Sequence, residues 1–317
     1  MQITAIVTAY HPDDLLRGVV DSALSSCASV IVVDNTPYPA QGEADRPDPL
    51  SGFRHPRVTV LRSGRNLGLA AALNLGLAAL PPETEAVLFL DQDSVIPDGL
   101  IDGLAEDLGD LSIGVVGPSP VDAATGKVYE TLPGRHDRLD DRDMVITSGM
   151  LLRRSCLDRV PGFREDFFVE YVDLDFCLRL RRAGIRIVRD LALELPHSIG
   201  DVRVHPFLGR SVRVGHYATW RHYWVARNGT ILIRENLRAM PVWAVANMLF
   251  MARWFVELVL FEPKRRTHGA AVLRGLRDGL TRRVTWDFIP AGAEYGGLTR
   301  LPAPRAPISG ARGHGGS

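Results

Sequence analysis

The chain has 317 residues, 46% of them hydrophobic and 23% charged, with a formal net charge of zero. That size buries a sizeable core and permits one large α/β domain with an appendage or two smaller domains, while the zero balance supplies no global basic field to draw in nucleic acid. Three widely separated cysteines, Cys27, Cys156 and Cys177, match no zinc spacing and read as reduced, partly buried thiols of a cytosolic protein.

Met1 to Tyr10 has no basic region followed by a long apolar run, so it reads as a strand that opens the fold and not as a signal peptide. Within it, Ile3 to Thr8 is a short β-branched run and predicts strand one, with a loop from Ala9 to Pro12. Asp13 or Asp14 can cap a helix to about Ser26, with Leu15, Leu16, Val19, Val20, Ala23 and Leu24 on its buried side. Val30 to Val33 predicts strand two, ended by Asp34 and Asn35. Thr36 to Pro56, rich in proline, glycine and charge, reads as a mobile surface loop. Val58 to Leu61 predicts strand three, Ser63 to Asn66 a turn, and Leu67 to Leu80 a helix stopped by Pro81 and Pro82.

Val87 to Ser94 then reads V-L-F-L-D-Q-D-S. Its apolar run is short and ends abruptly in two carboxylates, which predicts a buried strand. Asp91 and Asp93 lie two apart, so on an extended backbone both point to one face. They make either an acidic turn or a site for a hydrated divalent cation shared with phosphate oxygens. Strand and helix have alternated through four strands, which implies a parallel sheet covered on both faces, with ligands at the carboxyl ends of its strands. Thr8, Tyr10, Asp34, Arg65, Asn66, Asp91 and Asp93 fall at those ends and together outline a candidate nucleotide pocket.

Pro97 to Leu108 predicts a helix and Ile113 to Val116 a strand; Asp122 to Asp143 is a polar hairpin or loop. Met144 to Leu152 returns to the sheet, with Ser148 and Gly149 at a point of close approach. Asp173 to Ala183 has helical periodicity, with Leu174, Cys177, Leu178 and Leu180 inward and Arg179, Arg181 and Arg182 outward. Ile185 to Val188 predicts a strand, and His197 stands in L-P-H-S-I-G-D, as a structural loop histidine or a metal ligand.

Composition shifts near residue 200. Arg213 to Asn228 mixes basic and aromatic residues that could take a sugar, a lipid diphosphate or nucleic acid; neutral net charge disfavours the last. Pro241 to Phe261 approaches the length of a bilayer span, but Asn247, Arg253 and Glu257 interrupt it. It reads as a helix lying on a membrane face, with Lys264, Arg265 and Arg266 suited to anionic head groups, or as a helix packed on the main domain. The organisation expected is a core over 1–200, a helical membrane-associating extension over 201–290 and a disordered tail over 291–317. No internal repeat is visible.

The acids Glu170, Asp173 and Asp175 lie in V-E-Y-V-D-L-D-F-C-L-R. Asp173 and Asp175 cannot share a helical face, so they should have different jobs. Asp173, near the helix N-terminus, is either an acid cap or a base that takes a proton from an incoming hydroxyl. Asp175 has Arg179 at pairing distance along the helix. In R-N-L-G, Asn66 can cap the next helix and Arg65 can reach a phosphate or a base.

Taken together, T-A-Y-H-P, V-V-D-N, R-N-L-G-L-A-A-A-L-N, F-L-D-Q-D-S and F-F-V-E-Y-V-D-L-D-F-C-L-R resemble the inverting glycosyltransferase family with the GT-A fold, often called family 2. With H-S-I-G-D, R-H-Y-W-V-A-R-N and L-R-G-L-R-D-G-L, the set is similar to bacterial rhamnosyltransferases of cell-envelope polysaccharide assembly. The match covers about residues 2 to 285. It implies an α/β, Rossmann-like, mostly parallel sheet flanked by helices, with a C-terminal helical extension. Asp34 would bond the pyrimidine base beside Thr8 and Tyr10, with Arg65 and Asn66 in the same half. Asp93 would be the principal ligand of Mg2+ or Mn2+, with Asp91 near the ribose or metal and His197 completing the site. Asp173 would be the base, and Val172 stands where the family has a partner glutamate.

The resemblance further implies dTDP-L-rhamnose as donor, inversion at the anomeric carbon, and a lipid-linked saccharide acceptor. The protein would then sit in the cytoplasm, peripheral on the inner face of the plasma membrane, with no nucleic acid partner and with a homo-oligomer allowed. The rivals are transfer of galactofuranose or a UDP-hexose, a sugar-nucleotidyltransferase, and an inactive nucleotide-sugar-binding scaffold. The second would need a Gly- and Lys/Arg-rich phosphate loop, which T-A-Y-H-P lacks.

Overall fold

Strand β1 (Ile3–Ala9) is the axis of a mixed sheet, and the computed structural model describes residues 1–38, 50–122, 126, 138–197, 202–207 and 210–299 around it. Helix α1 (Leu15–Leu24) follows, then β2 (Ser29–Asp34), β3 (Val58–Arg62), α2 (Leu69–Ala78), β4 (Ala86–Asp91) and α3 (Leu100–Leu108). Next come β5 (Ile113–Asp122), β6 (Leu139–Asp141), β7 (Leu151–Arg153), α4 (Val172–Arg182) and β8 (Arg186–His197). The sheet order is β3-β2-β1-β4-β7-β5-β8-β6. Neighbours from β3 to β4 are parallel, as are β5 and β8, while β7 runs antiparallel between β4 and β5 and β6 antiparallel on β8. The α/β class expected from the alternation is therefore the one observed.

Register makes the carboxyl ends of the central strands level. Ala9 lies opposite Asp34, and Thr8 opposite Asp91. Alternate residues feed two separate cores. Ile6, Ile31 and Phe89 face α2 and α4 on one side, with Leu73, Phe176 and Leu178. Ala5, Val7 and Leu88 face α1 and α3 on the other, with Val20 and Leu104. A strand covered on both faces has no polar side to show, which is why these runs are continuously apolar.

Several boundaries differ from the sequence reading. Leu15 is exposed and Leu24 half-buried, because the buried stripe of α1 is Leu16, Val19, Val20 and Ala23, at helical spacing. The helix expected from Leu67 begins at Leu69: Gly68 takes φ 83° and the Leu69 N–H donates to the Phe168 carbonyl at 2.8 Å. The segment from Met144 reaches the sheet at β7, after a turn at Gly149, whose φ of 84° brings its α-carbon against Pro118. Strands β5 and β8 run past the expected ends at Val116 and Val188 as one long pair with a bulge after Pro118. Most of the surface loop expected over Thr36 to Pro56 (39–49) and most of the excursion over Asp122 to Asp143 (123–125 and 127–137) lie outside the described residues, although β6 forms within the latter. All three cysteines are buried free thiols.

The C-terminal region is a hairpin, β9 (Val202–Phe207) with β10 (Arg210–Gly215), then α5 (Thr219–Asn236), α6 (Pro241–Phe261) and α7 (Arg265–Thr281). A short hairpin, β11 (Glu294–Tyr295) with β12 (Leu298–Thr299), closes the described chain. Residues 291–299, expected to be part of a disordered tail, are ordered: Ala293 is buried and Tyr295 packs on Phe168 and Trp224. Residues 300–317 lie outside the described residues. Nor is the extension a loose appendage, since Ile231 and Leu232 of α5 belong to the same core as α2 and α4.

Helices α5 and α7 meet at small residues. A β-carbon on Gly275 would stand 2.4 Å from the Tyr223 carbonyl and 2.9 Å from Ala226 Cβ. Gly275→Ala should force the helices apart at a cost of about 1–3 kcal/mol, lowering Tm by several degrees in a thermal melt. An unchanged Tm would contradict this packing.

Candidate active site

The carboxyl ends of β1, β2 and β4 form the floor. At the end of β2, Asp34 is buried; its Oδ1 accepts from the Thr36 N–H at 3.0 Å and Oδ2 lies 3.8 Å from Arg62 Nη1. Thr8 is half-buried beside it, and Tyr10 is exposed. The Tyr10 N–H donates to Gln92 Oε1 at 2.8 Å, which ties the exit of β1 to that of β4. Ser94 shares a buried hydroxyl contact with Ser148 at 2.6 Å.

Arg65 and Asn66 are both engaged by the protein. The Arg65 guanidinium pairs with Glu294 of β11. Asn66 is buried; its Oδ1 accepts from the Gly68 N–H at 3.0 Å and from Asn35 Nδ2 at 3.1 Å, and its carbonyl accepts from the Glu294 N–H at 2.8 Å. Asn66 thus organises the turn into α2 but does not cap the helix as expected, because the helix begins at Leu69 with Gly68 at the cap.

The acids converge above this floor. Asp91 ends β4, and Asp93 sits exposed in the turn that follows. Burial raises Asp91 to about 6, and the charge of Asp93 pushes the same way. Asp173 lies in the first turn of α4 and is likewise raised to about 6 by burial, with the charges of Glu170 and Asp91 adding and a 2.8 Å hydrogen bond from the Leu174 N–H opposing. At the end of β8, burial lowers His197 while the charge of Asp93 acts against it. Asp91, Asp93, Asp173 and His197 therefore share one electrostatic neighbourhood. The rest of the segment after His197, 198–200, lies outside the described residues.

Glu170 pairs with Arg221 Nε at 2.5 Å. Asp175 has the separate job its position implied: it is buried and holds Arg179 Nε at 2.7 Å and Arg164 Nη1 at 3.5 Å.

What the sequence did not reveal is how this loop is held. Glu170 and Tyr171 both adopt left-handed backbone angles, φ 60° and 63°, which are unfavourable for such side chains. Asn228 of α5 fastens them: its Nδ2 donates to the carbonyls of Val169 and Glu170 at 2.8 and 3.0 Å. Arg227 is buried and donates to the carbonyls of Asp166 and Arg283 and to Asn228 Oδ1. The basic–aromatic stretch from Arg213 to Asn228, read as a ligand surface, is at these positions core: Tyr223 bonds Asp278 and Trp224 Nε1 bonds the Phe288 carbonyl. The signal was present in the adjacent Arg-Asn pair on an otherwise aromatic helix, a polar pair that burial makes structural.

A family model for glycosyl transferase family 2 matches residues 4–164. The chain is 25% identical over 248 residues to "dTDP-rhamnosyl transferase RfbF" of Shigella flexneri, covering 74% of this chain and 80% of that one. It is 22% identical over 302 residues to "Low-salt glycan biosynthesis hexosyltransferase Agl10" of Haloferax volcanii, covering 89% and 92%. Among solved structures it resembles GalNAc-T7, crystallised with UDP, GalNAc and Mn2+, at a TM-score of 0.52 and 10% identity, over 73% of this chain and 51% of that one. That likeness shows the fold, the GT-A architecture expected from the sequence; the chain spans about half the length of that structure.

The raised Asp173 sets a stability prediction. Its protonated form favours the fold fully below the unfolded value of 3.8, and this is lost as pH rises through about 6. Above pH 7 the charged Asp173 opposes folding, so Asp173→Asn should stabilise the fold at pH 8 by on the order of 1–2 kcal/mol, read as a higher Tm, and give no gain at pH 4. A variant less stable than the parent at pH 8 would contradict the assigned environment.

Proposed function

The chain belongs to glycosyl transferase family 2, and from that premise we propose that it transfers L-rhamnose from dTDP-L-rhamnose, with inversion, to a hydroxyl of a lipid-linked saccharide in bacterial cell-envelope polysaccharide synthesis. The chain is a glycosyltransferase; the RfbF relative supports the donor. The Agl10 relative favours, as a second reading, transfer of another hexose by the same site.

Asp173 carries the reading. A carboxylate raised toward the working pH is a stronger base than an ordinary one, and Asp173 is raised to about 6 by burial, with Asp91 nearby. It takes the acceptor proton as the hydroxyl oxygen bonds to the anomeric carbon, and the bond from that carbon to the diphosphate breaks, its electron pair leaving with dTDP. Asp34 bonds the pyrimidine beside Thr8 and Tyr10. Asn66 shapes the turn below the nucleotide, and Arg65 reaches a phosphate by exchanging Glu294 for it.

The donor set fits Mg2+ or Mn2+. Asp91 and Asp93 offer hard oxygens with mutually repelling charges, and burial keeps the His197 imidazole toward its neutral, ligating form. Bound there, the ion would neutralise the departing diphosphate; GalNAc-T7 was crystallised with Mn2+ and UDP.

Helix α6 supports a place at the cytoplasmic membrane face. By length and composition it could cross a membrane, with 17% of its apolar window buried. Yet Ala244, Met251 and Leu258 form a stripe packed on the protein, Asn247 bonds the Tyr171 hydroxyl at 3.4 Å, and Arg253 pairs with Glu257 at 3.3 Å. The opposite side exposes Val242, Leu249 and Phe250, and Lys264, Arg265 and Arg266 follow. A helix half-packed on protein and half-apolar to the outside lies flat on a bilayer.

Two outcomes follow. Asp173→Asn should lower kcat for dTDP release by roughly 10²–10⁴ with donor binding retained; near-normal turnover would remove Asp173 as base. The protein should float with vesicles containing anionic lipid, less at high salt, and Leu249→Asp with Phe250→Asp should abolish flotation. Protein that stays in solution, or self-associates through this face instead, would contradict the membrane reading.

A further inference from the structure

The C-terminal region gathers a second group of metal-binding side chains that the transferase reading leaves unused. His222 in the first turn of α5, Glu262 directly after α6 and His268 in the first turn of α7 are all buried, and one ligand atom from each lies within 4.8 Å of the others. Nε2 of His222 is 4.0 Å from Glu262 Oε1, and Nδ1 of His268 is 3.4 Å from Glu262 Oε2. His216, ahead of α5, sets Nδ1 3.1 Å from the same Oε1, and its Nε2 faces His205 Nε2 at 3.1 Å.

These atoms are close without satisfying one another. Nε2 of His222, Nδ1 of His268 and Oε1 of Glu262 are buried with no partner in hydrogen-bond geometry. Burying polar atoms in that state is unfavourable, and natural folds avoid it. One proton shared by Glu262 and His268 would still leave His222 facing them. Burial, with His268 beside it, holds His222 down to about 4, so its imidazole is neutral at pH 7 with a lone pair to give.

A single cation satisfies all three at once. In a tetrahedral site with ligands at about 2.0–2.1 Å, neighbouring ligand atoms are roughly 3.3 Å apart. The separations of 3.4 and 4.0 Å run to the two oxygens of Glu262, and with the 4.8 Å bound on the whole set they lie from that edge to somewhat beyond it, so the side chains close in on the ion by a modest adjustment. Two imidazoles with one carboxylate suit zinc; magnesium and calcium ask for oxygen. The outer contacts are of the kind that orient such ligands: His205 fixes one face of the His216 ring, and the Tyr217 backbone lies beside His222.

We propose that His222, Glu262 and His268 bind a zinc ion that staples the ends of α5, α6 and α7, with His216 orienting the Glu262 carboxylate. The cluster lies outside residues 4–164, which carry the family match, so it stands apart from the transferase reading. It fixes the corner at which the exposed apolar helix gives way to Lys264, Arg265 and Arg266, and hence the face those residues present.

The test is the metal content of tag-free protein by plasma mass spectrometry. About one zinc per chain is expected, kept in Asp93→Asn, lost in His222→Gln and in His268→Gln, and weakened in His216→Ala. Stripping the zinc should lower Tm by several degrees, and Zn2+ should restore it. A measurement free of variant folding is Co2+ loading of stripped wild-type protein, which should give tetrahedral visible absorption and imidazole scattering at about 2.0 Å. Wild-type protein that takes up no zinc above background, or zinc that is lost in Asp93→Asn and kept in His222→Gln, would overturn the site.

Discussion

The burial of Asp91 and Asp173 near one another, with Asp93 at the rim, is the constraint on which the active face depends. The register of β1 with β2 and β4 brings three strand exits level, so whatever charges end those strands must meet. Burial and like charge together hold Asp91 and Asp173 well above the usual carboxylate range. Such a site is unfavourable until something positive enters it, as the proposed cation with its diphosphate would. Burial first, with the charges of Glu170 and Asp91 adding, raises Asp173 into the range the proposed base requires. Selectivity for the loaded state and reactivity in that state thus come from one arrangement.

The remainder of the molecule holds those charges in place. Glu170 and Tyr171 accept unfavourable backbone angles immediately before α4, and Asn228 and Arg227 of α5 absorb that strain through bonds to the carbonyls of Asp166, Val169 and Glu170. Through Asn247 and the Tyr171 hydroxyl, α6 reaches the same loop. The helix that faces the outside is therefore one contact away from the segment bearing Asp173, the proposed base. A lipid-linked acceptor arriving along α6 would be delivered to Asp173 by the same scaffold that positions it.

Much of this was legible in the sequence because it depends on local pattern. Continuous apolar runs marked β1, β2 and β4, and acids at their ends marked the floor. Spacing alone separated Asp173 from Asp175, which the structure gives to Arg179 and Arg164. What escaped was long-range pairing. The partner of Arg65 is Glu294, 229 positions away. Asn228 acts on a loop 58 and 59 positions earlier. A basic–aromatic stretch looks like a binding surface until its partners are known, and here Arg227, Tyr223 and Trp224 are core. The strands expected to end at Val116 and Val188 continue as a pair, because a bulge after Pro118 restores their register.

Calorimetric titration of dTDP into the protein, with and without Mn2+, bears most directly on the convergence of the acids. Binding is expected to be tight with the cation, to fall by an order of magnitude or more without it, and to lose that dependence in Asp93→Asn. Equal affinity with and without the cation in the parent protein would contradict a site built on repelling carboxylates.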